Sequence, residues 1–164
     1  MSSVLTYAAP LGGDTRILVL GYGNPGRQDD GLGPAVAAAI ERLGWRNVTA
    51  YDNYQLTIED AIDVAEHDVV WFVDAARTGP APYVVSDLWP ATRIEFTSHI
   101  VRPEAILAIA QQCFSQLPRA FLLGVRGYAF DFLEELTDDA AHNLHAAFAM
   151  LSDRIRSIQA GVAS

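Results

Sequence analysis

The chain contains no lysine: its 11 basic residues are all arginine, set against 20 acidic residues, for a formal net charge of −9. That balance argues against a nucleic-acid or anionic-membrane surface, since both need clustered positive charge. Cysteine is nearly absent. The single Cys113 excludes an internal disulfide and a multi-cysteine metal site, and suits a reducing compartment. No apolar run approaches the length of a membrane span. The opening "MSSVLTYAAPLGGDT" lacks the basic segment and long apolar stretch of a secretion signal. Residues 1–15 are therefore expected to be a flexible tail, and the protein cytoplasmic and monomeric. The G-x-S-x-G elbow of serine hydrolases is missing too.

What is present fits one soluble domain: 164 residues, 51% apolar and 19% charged. Short apolar runs alternate with helical patterns. "RILVLG" (16–21), "NVTAYD" (47–52), "DVVWFVDA" (68–75), "PYVVSDL", "RIEFTS" and "RAFLLGV" (119–125) read as strands. The third is the most apolar and is expected at the sheet centre. Helices are expected over 33–44, ending at Gly44, over 57–66, over 103–114 with Pro103 in the first turn, and over 137–158 behind an N-cap Thr137. The pattern predicts a single three-layer α/β/α domain over residues 16–158, with a mostly parallel twisted sheet, and a short C-terminal tail over 159–164.

Residues 21–33 read "GYGNPGRQDDGLG". Gly21, Gly23 and Gly26 fall on the G-x-G-x-x-G spacing of a dinucleotide-binding turn, and Asp52 ends the second strand near where a ribose-binding acid would lie. Two features oppose that reading. Asp29 and Asp30 would repel a pyrophosphate at the helix start, and Pro25 removes an amide donor from the loop. A cation is the better occupant. In an open α/β sheet, ligands sit beyond the carboxyl ends of the strands. Asp30 follows the first strand, Asp74 ends the third and His99 ends "RIEFTSH". Two carboxylates and an imidazole suit a divalent cation with open coordination positions. Aspartates ahead of a helix also cap it, but one helix has one N-cap. Asp29 is therefore expected to cap the first helix and Asp30 to face the metal.

Other residues carry less. Ser98 and His99 are neighbours, so in an extended segment their side chains point apart and form no dyad. Cys113 lies in the apolar pattern of a helix and is expected to be buried. His142 and His145 read as a solvated helix face, and His67 as a turn residue.

The stretches "ILVLGYGNPGRQDDGLG", "VVWFVDA" and "TSHIVRPEAILAIA" resemble the nickel–iron hydrogenase maturation endopeptidases. The resemblance covers most of residues 16–157. It implies an enzyme that removes a short C-terminal extension from a hydrogenase large-subunit precursor after nickel insertion. Carried over by position, Asp30, Asp74 and His99 are the catalytic and nickel-binding residues. The nickel would arrive with the precursor, and no organic cofactor is implied. "YQLTIEDA" (54–61) and "GYAFDFLEEL" (127–136) look most like members serving cytoplasmic NAD(P)-linked hydrogenases. Two alternatives stay open: a metal-free aspartic dyad of Asp30 and Asp74, and a protein that checks or carries nickel without cutting.

Overall fold

The structure is a computed structural model that describes residues 11–94 and 100–162. Five strands, β1 (Ile17–Tyr22), β2 (Val48–Asn53), β3 (Val69–Ala76), β4 (Tyr83–Leu88) and β5 (Arg119–Arg126), form one sheet in the order β2-β1-β3-β5-β4. The first four strands of β2-β1-β3-β5 run parallel, and β4 pairs antiparallel with β5 at the edge. Four α-helices accompany them: α1 (Leu32–Glu41), α2 (Asp60–Glu66), α3 (Pro103–Phe114) and α4 (Asp138–Gln159).

Strand periodicity explains the layers. In β1, Ile17 and Val19 point into one apolar cluster, with Val36 and Ile40 of α1 and Leu151 and Ile155 of α4. Leu18 and Leu20 point into the opposite cluster, with Val64 of α2 and Ile106 and Leu107 of α3. Central β3 divides likewise, Trp71 and Val73 to one side and Val70 and Phe72 to the other. A strand covered on both faces must be apolar throughout, which is why these two read as continuous hydrophobic runs. Trp71 stacks on Phe121 with ring centroids 4.6 Å apart. Among the described residues, no helix is long and apolar enough to cross a membrane.

Several boundaries differ from expectation. Residues 11–15 form a turn in which Thr15 N donates to Gly12 O at 3.0 Å, and Leu11 packs on the α1–α4 cluster, so the folded domain starts before Arg16. Of "RIEFTS", Arg93 and Ile94 are not in a strand, and 95–98 lie outside the described residues. Cys113 is exposed, not buried. Residues 111–116, the last turn of α3 and the residues after it, are all exposed.

The parallel register brings the ends of β1, β2, β3 and β5 to one edge, with Gly21 opposite both Asp52 and Val73, and Asp74 opposite Gly124. The loop after β1, with a 3-10 turn at Gln28–Gly31, therefore meets the segments that follow β3 and β5.

Candidate active site at the carboxyl edge

The loop after β1 folds back tightly on the sheet. A Cβ at Gly33 would collide with the carbonyl oxygens of Val73 and Tyr22, and one at Gly23, where φ is +142°, with the carbonyl of Asp30. The glycines serve close backbone packing. The amides a phosphate would need are already used: Asn24 N donates to Asp30 Oδ2 at 2.7 Å, Gly26 N to Asn24 Oδ1 at 2.8 Å and Gly23 N to Asn53 O at 3.0 Å. Asp52 is exposed on edge strand β2. This loop is closed to a dinucleotide by its own hydrogen bonds.

Asp29 and Asp30 are placed differently, and Asp29 is not the cap of the first helix. The N-cap of α1 is Gly31, with no side-chain cap bond. Asp29 is fully buried and accepts four hydrogen bonds from across the molecule. Tyr128 N and Ala129 N donate to Oδ2 at 2.7 and 3.1 Å, Thr137 Oγ1 to the same oxygen at 2.8 Å, and Thr137 N to Oδ1 at 2.9 Å. Burial pushes this carboxyl up, yet the four donors outweigh it and hold the pKa below the ordinary carboxylate value. Thr137 in turn accepts from Ala140 N at 3.3 Å and caps α4, as expected.

Asp74 lies in β3, at the same carboxyl edge of the sheet. In the alternation of β3 it shares the face of Val70 and Phe72, beside Tyr22, which continues the Leu18–Leu20 row of β1. Burial is the main reason that its carboxyl is pushed up from 3.8 to about 6. The negative charge of Asp30 adds to the rise, while hydrogen bonds from Ala75 N, at 2.8 Å, and from the Tyr22 hydroxyl oppose it. The cation of Arg77 opposes it too. The Tyr22 phenol is raised well above its usual range, by burial first and then by the charges of Asp74 and Glu104.

Asp30, in the 3-10 turn after β1, and Asp74, in β3, thus come close enough to feel one another. His99 lies outside the described residues. Among the described residues no group of three or more His, Cys, Asp or Glu side chains is arranged to hold a metal ion. The two carboxylates could supply part of a coordination sphere that another molecule completes. One half-buried carboxyl near pKa 6 beside a second carboxylate is also suited to proton transfer near neutrality.

Tyr22, Arg77 and Glu104 were not singled out by sequence. The signal for Tyr22 is the period of two along 18–20–22, which puts it on the face of Asp74. His142 and His145 are exposed on α4, and His67 is held by Asp63 O and Thr49 Oγ1.

No family model and no curated protein matches the chain. Solved structures do. A [NiFe] hydrogenase maturation protease, HycI from Thermococcus kodakarensis, superposes with a TM-score of 0.71 at 21% identity, over 90% of this chain and 96% of that one. A hydrogenase 2 maturation peptidase from a Thaumarchaeota archaeon gives 0.65 at 24% identity, over 87% and 99%. The hydrogenase maturating endopeptidase HybD from E. coli gives 0.66 at 20% identity, over 87% and 93%. The chain has the α/β fold of these proteins, along nearly its whole length and theirs.

Proposed function

We propose that this protein is an endopeptidase of hydrogenase maturation, removing the C-terminal extension of a nickel–iron hydrogenase large-subunit precursor once nickel has been inserted. The observation that carries the reading is the pairing of Asp30 with Asp74 at the carboxyl edge of a fold shared with named maturation proteases. The resemblance of residues 17–33, 69–75 and 97–110 to that family adds His99 to the pair.

In this reading the precursor's nickel is part of the substrate. Asp30, Asp74 and His99 complete its coordination, and the metal polarises the scissile region and orients it. Asp74 has the environment of an acid–base group, with Tyr22 fixing its carboxyl. Requiring a metal on the substrate makes cutting conditional on successful insertion, which suits a protease that acts once per precursor.

The test is to incubate the purified protein with nickel-loaded and nickel-free precursor and weigh the products by mass spectrometry. Loss of a C-terminal peptide from the loaded precursor alone is expected. Unchanged mass with nickel transferred to the protein would replace the protease with a carrier. Cleavage of both forms alike would favour the metal-free dyad.

A further inference from the structure

Two glycines lie inside described strands, Gly21 in β1 and Gly124 in β5. Gly21 is obligatory, since a Cβ there would collide with the carbonyl of Gly33. Gly124 has no such reason. Among the described residues, an added Cβ would meet only Ala76 Cβ at 3.5 Å and Val84 O at 3.9 Å, both ordinary contacts. Its φ is not positive, and the pairing of β5 with β3 and with β4 runs one-to-one through it, without a bulge. A glycine within a strand costs stability, because it has most backbone freedom to lose and packs nothing. With positive φ, bulge and collision set aside, the close approach of another molecule is the reason that remains.

The position of Gly124 points to what approaches. It is the register partner of Asp74 on one side and of Val84 on the other. Alternation along β5 puts Leu123 and Val125 on the α4 face, where both are fully buried, and Gly124 on the opposite face, with Asp74. The helices cover that opposite face unevenly. Leu88 and Ala120, paired at the far end of β5, are buried with Ile106 and Leu107 of α3. Nearer the carboxyl edge, Leu122 and Gly124 are only half-buried, Ser86 is exposed and Val84 is 41% exposed. A shallow lane is left on the sheet, starting at Asp74, floored by Gly124 and bordered by Ala76, Leu122 and Val84. Arg126, the next residue on that face, is engaged elsewhere: its Nη1 donates to Gly79 O at 3.0 Å and its guanidinium lies over the Tyr128 ring at 5.1 Å.

We infer that Gly124 is a specificity-determining residue: it keeps this lane open for an apolar side chain of the substrate, from one of the two residues that flank the scissile bond. The inference rests on the protease reading above. Neighbouring strands lie about 4.8 Å apart, so a side chain seated over Gly124 belongs to a residue whose main chain passes Asp74. The lining selects its chemistry. Ala76, Leu122 and Val84 offer methyl and methylene surface, and a polar side chain would give up water there for hydrocarbon. The missing Cβ then sets the permitted size, because a larger residue at 124 would occupy the space that the substrate's side chain needs.

The experiment compares full-length wild type, Gly124→Ala and Gly124→Val by melting temperature and by cleavage of nickel-loaded precursor. Both variants should melt at or above the wild-type temperature, because the space is open and valine favours strands. Gly124→Val should lower kcat/KM about hundredfold and Gly124→Ala severalfold, the order expected when a substrate residue is displaced from its seat. The masses of the wild-type products locate the cut, and each flanking residue of the precursor is then replaced by glycine in turn. One of these two precursors should restore cutting by Gly124→Val about tenfold or more. Full cutting by a folded Gly124→Val, or a loss that neither glycine precursor relieves, would overturn the inference and leave the protease intact. Early melting of Gly124→Ala would overturn it too, since the chain's own side chains would then fill the space. A wild type that never cuts loaded precursor removes the protease, and calorimetric binding of that precursor then decides the lane. Weaker binding by Gly124→Val upholds the lane, whereas equal binding, or none by the wild type, overturns it.

Discussion

Two carboxyl groups with the same ordinary pKa of 3.8 are driven in opposite directions, Asp29 down and Asp74 up to about 6. Each shift is a statement about stability. At Asp74 the folded state prefers the proton, so this group's favourable contribution is complete below about pH 4 and is lost as pH rises through about 6. Asp74→Asn imitates the neutral form. It should raise stability by about 2 kcal/mol at pH 8, a gain that shrinks on acidification and vanishes below about pH 4, in urea titrations across that range. Precursor processing should fall to background, since neither metal binding nor acid–base work survives the loss of charge. Wild-type cutting by the stabilised variant would remove Asp74 from the mechanism. At Asp29 the signs reverse. Its four donors favour the charged form, so the contribution is complete above the ordinary carboxylate pKa and is lost as pH falls through the depressed value. Asp29→Asn places an amide among those donors and should cost about 3 kcal/mol at pH 7. The wild type should lose that advantage in acid.

Thr137 shows how a residue's local and distant duties combine within an element. Its hydroxyl caps α4 by accepting from Ala140 N, and donates to Asp29 in the loop after β1. Removing the cap alone should cost about 1 kcal/mol. In Thr137→Val the bond to Asp29 goes as well, so a double-mutant cycle with Asp29→Asn should show a coupling of about 1 kcal/mol or more. Simple additivity of the two melting shifts would mean that the loop and α4 are not joined through this pair. The cap was legible in sequence because Thr137 and Ala140 are three residues apart. The role of Asp29 was not, because its partners lie 99 to 108 residues away and "DD" ahead of a helix looks the same whether it caps or anchors. The exposure of Cys113 was hidden for a similar reason. Apolar periodicity marks the face of α3 that could be buried, while tertiary packing decides where along the helix burial stops, here at Ala110. Strands β1 and β3 were plain, since a strand covered on both faces admits few polar side chains.

At the scale of the whole molecule, sequence yielded the three layers and the placement of Asp30 and Asp74 at the carboxyl edge from the alternation of β and α alone. The pairing of Asp30 with Asp74 then followed from the topology. The half-open sheet face at Gly124 did not, because a glycine within an apolar run looks the same whether or not a helix covers it. The net charge of −9 was legible too, and it sets a response that no single contact predicts. Excess like charge strains a compact state, and exposed pairs such as Arg16–Asp68, at 3.0 Å, offset little of it. Raising ionic strength from 0.01 M to 0.15 M shortens the Debye length from about 30 Å to about 8 Å. Repulsion acts across the whole surface and is screened by that change, whereas the bonds to buried Asp29 are short-ranged and sheltered. The melting temperature should therefore rise, by about 2–4 °C. Calorimetry over that interval gives the slope. A melting temperature that drops with salt would mean that attractive ion pairs, not repulsion, dominate the folded surface.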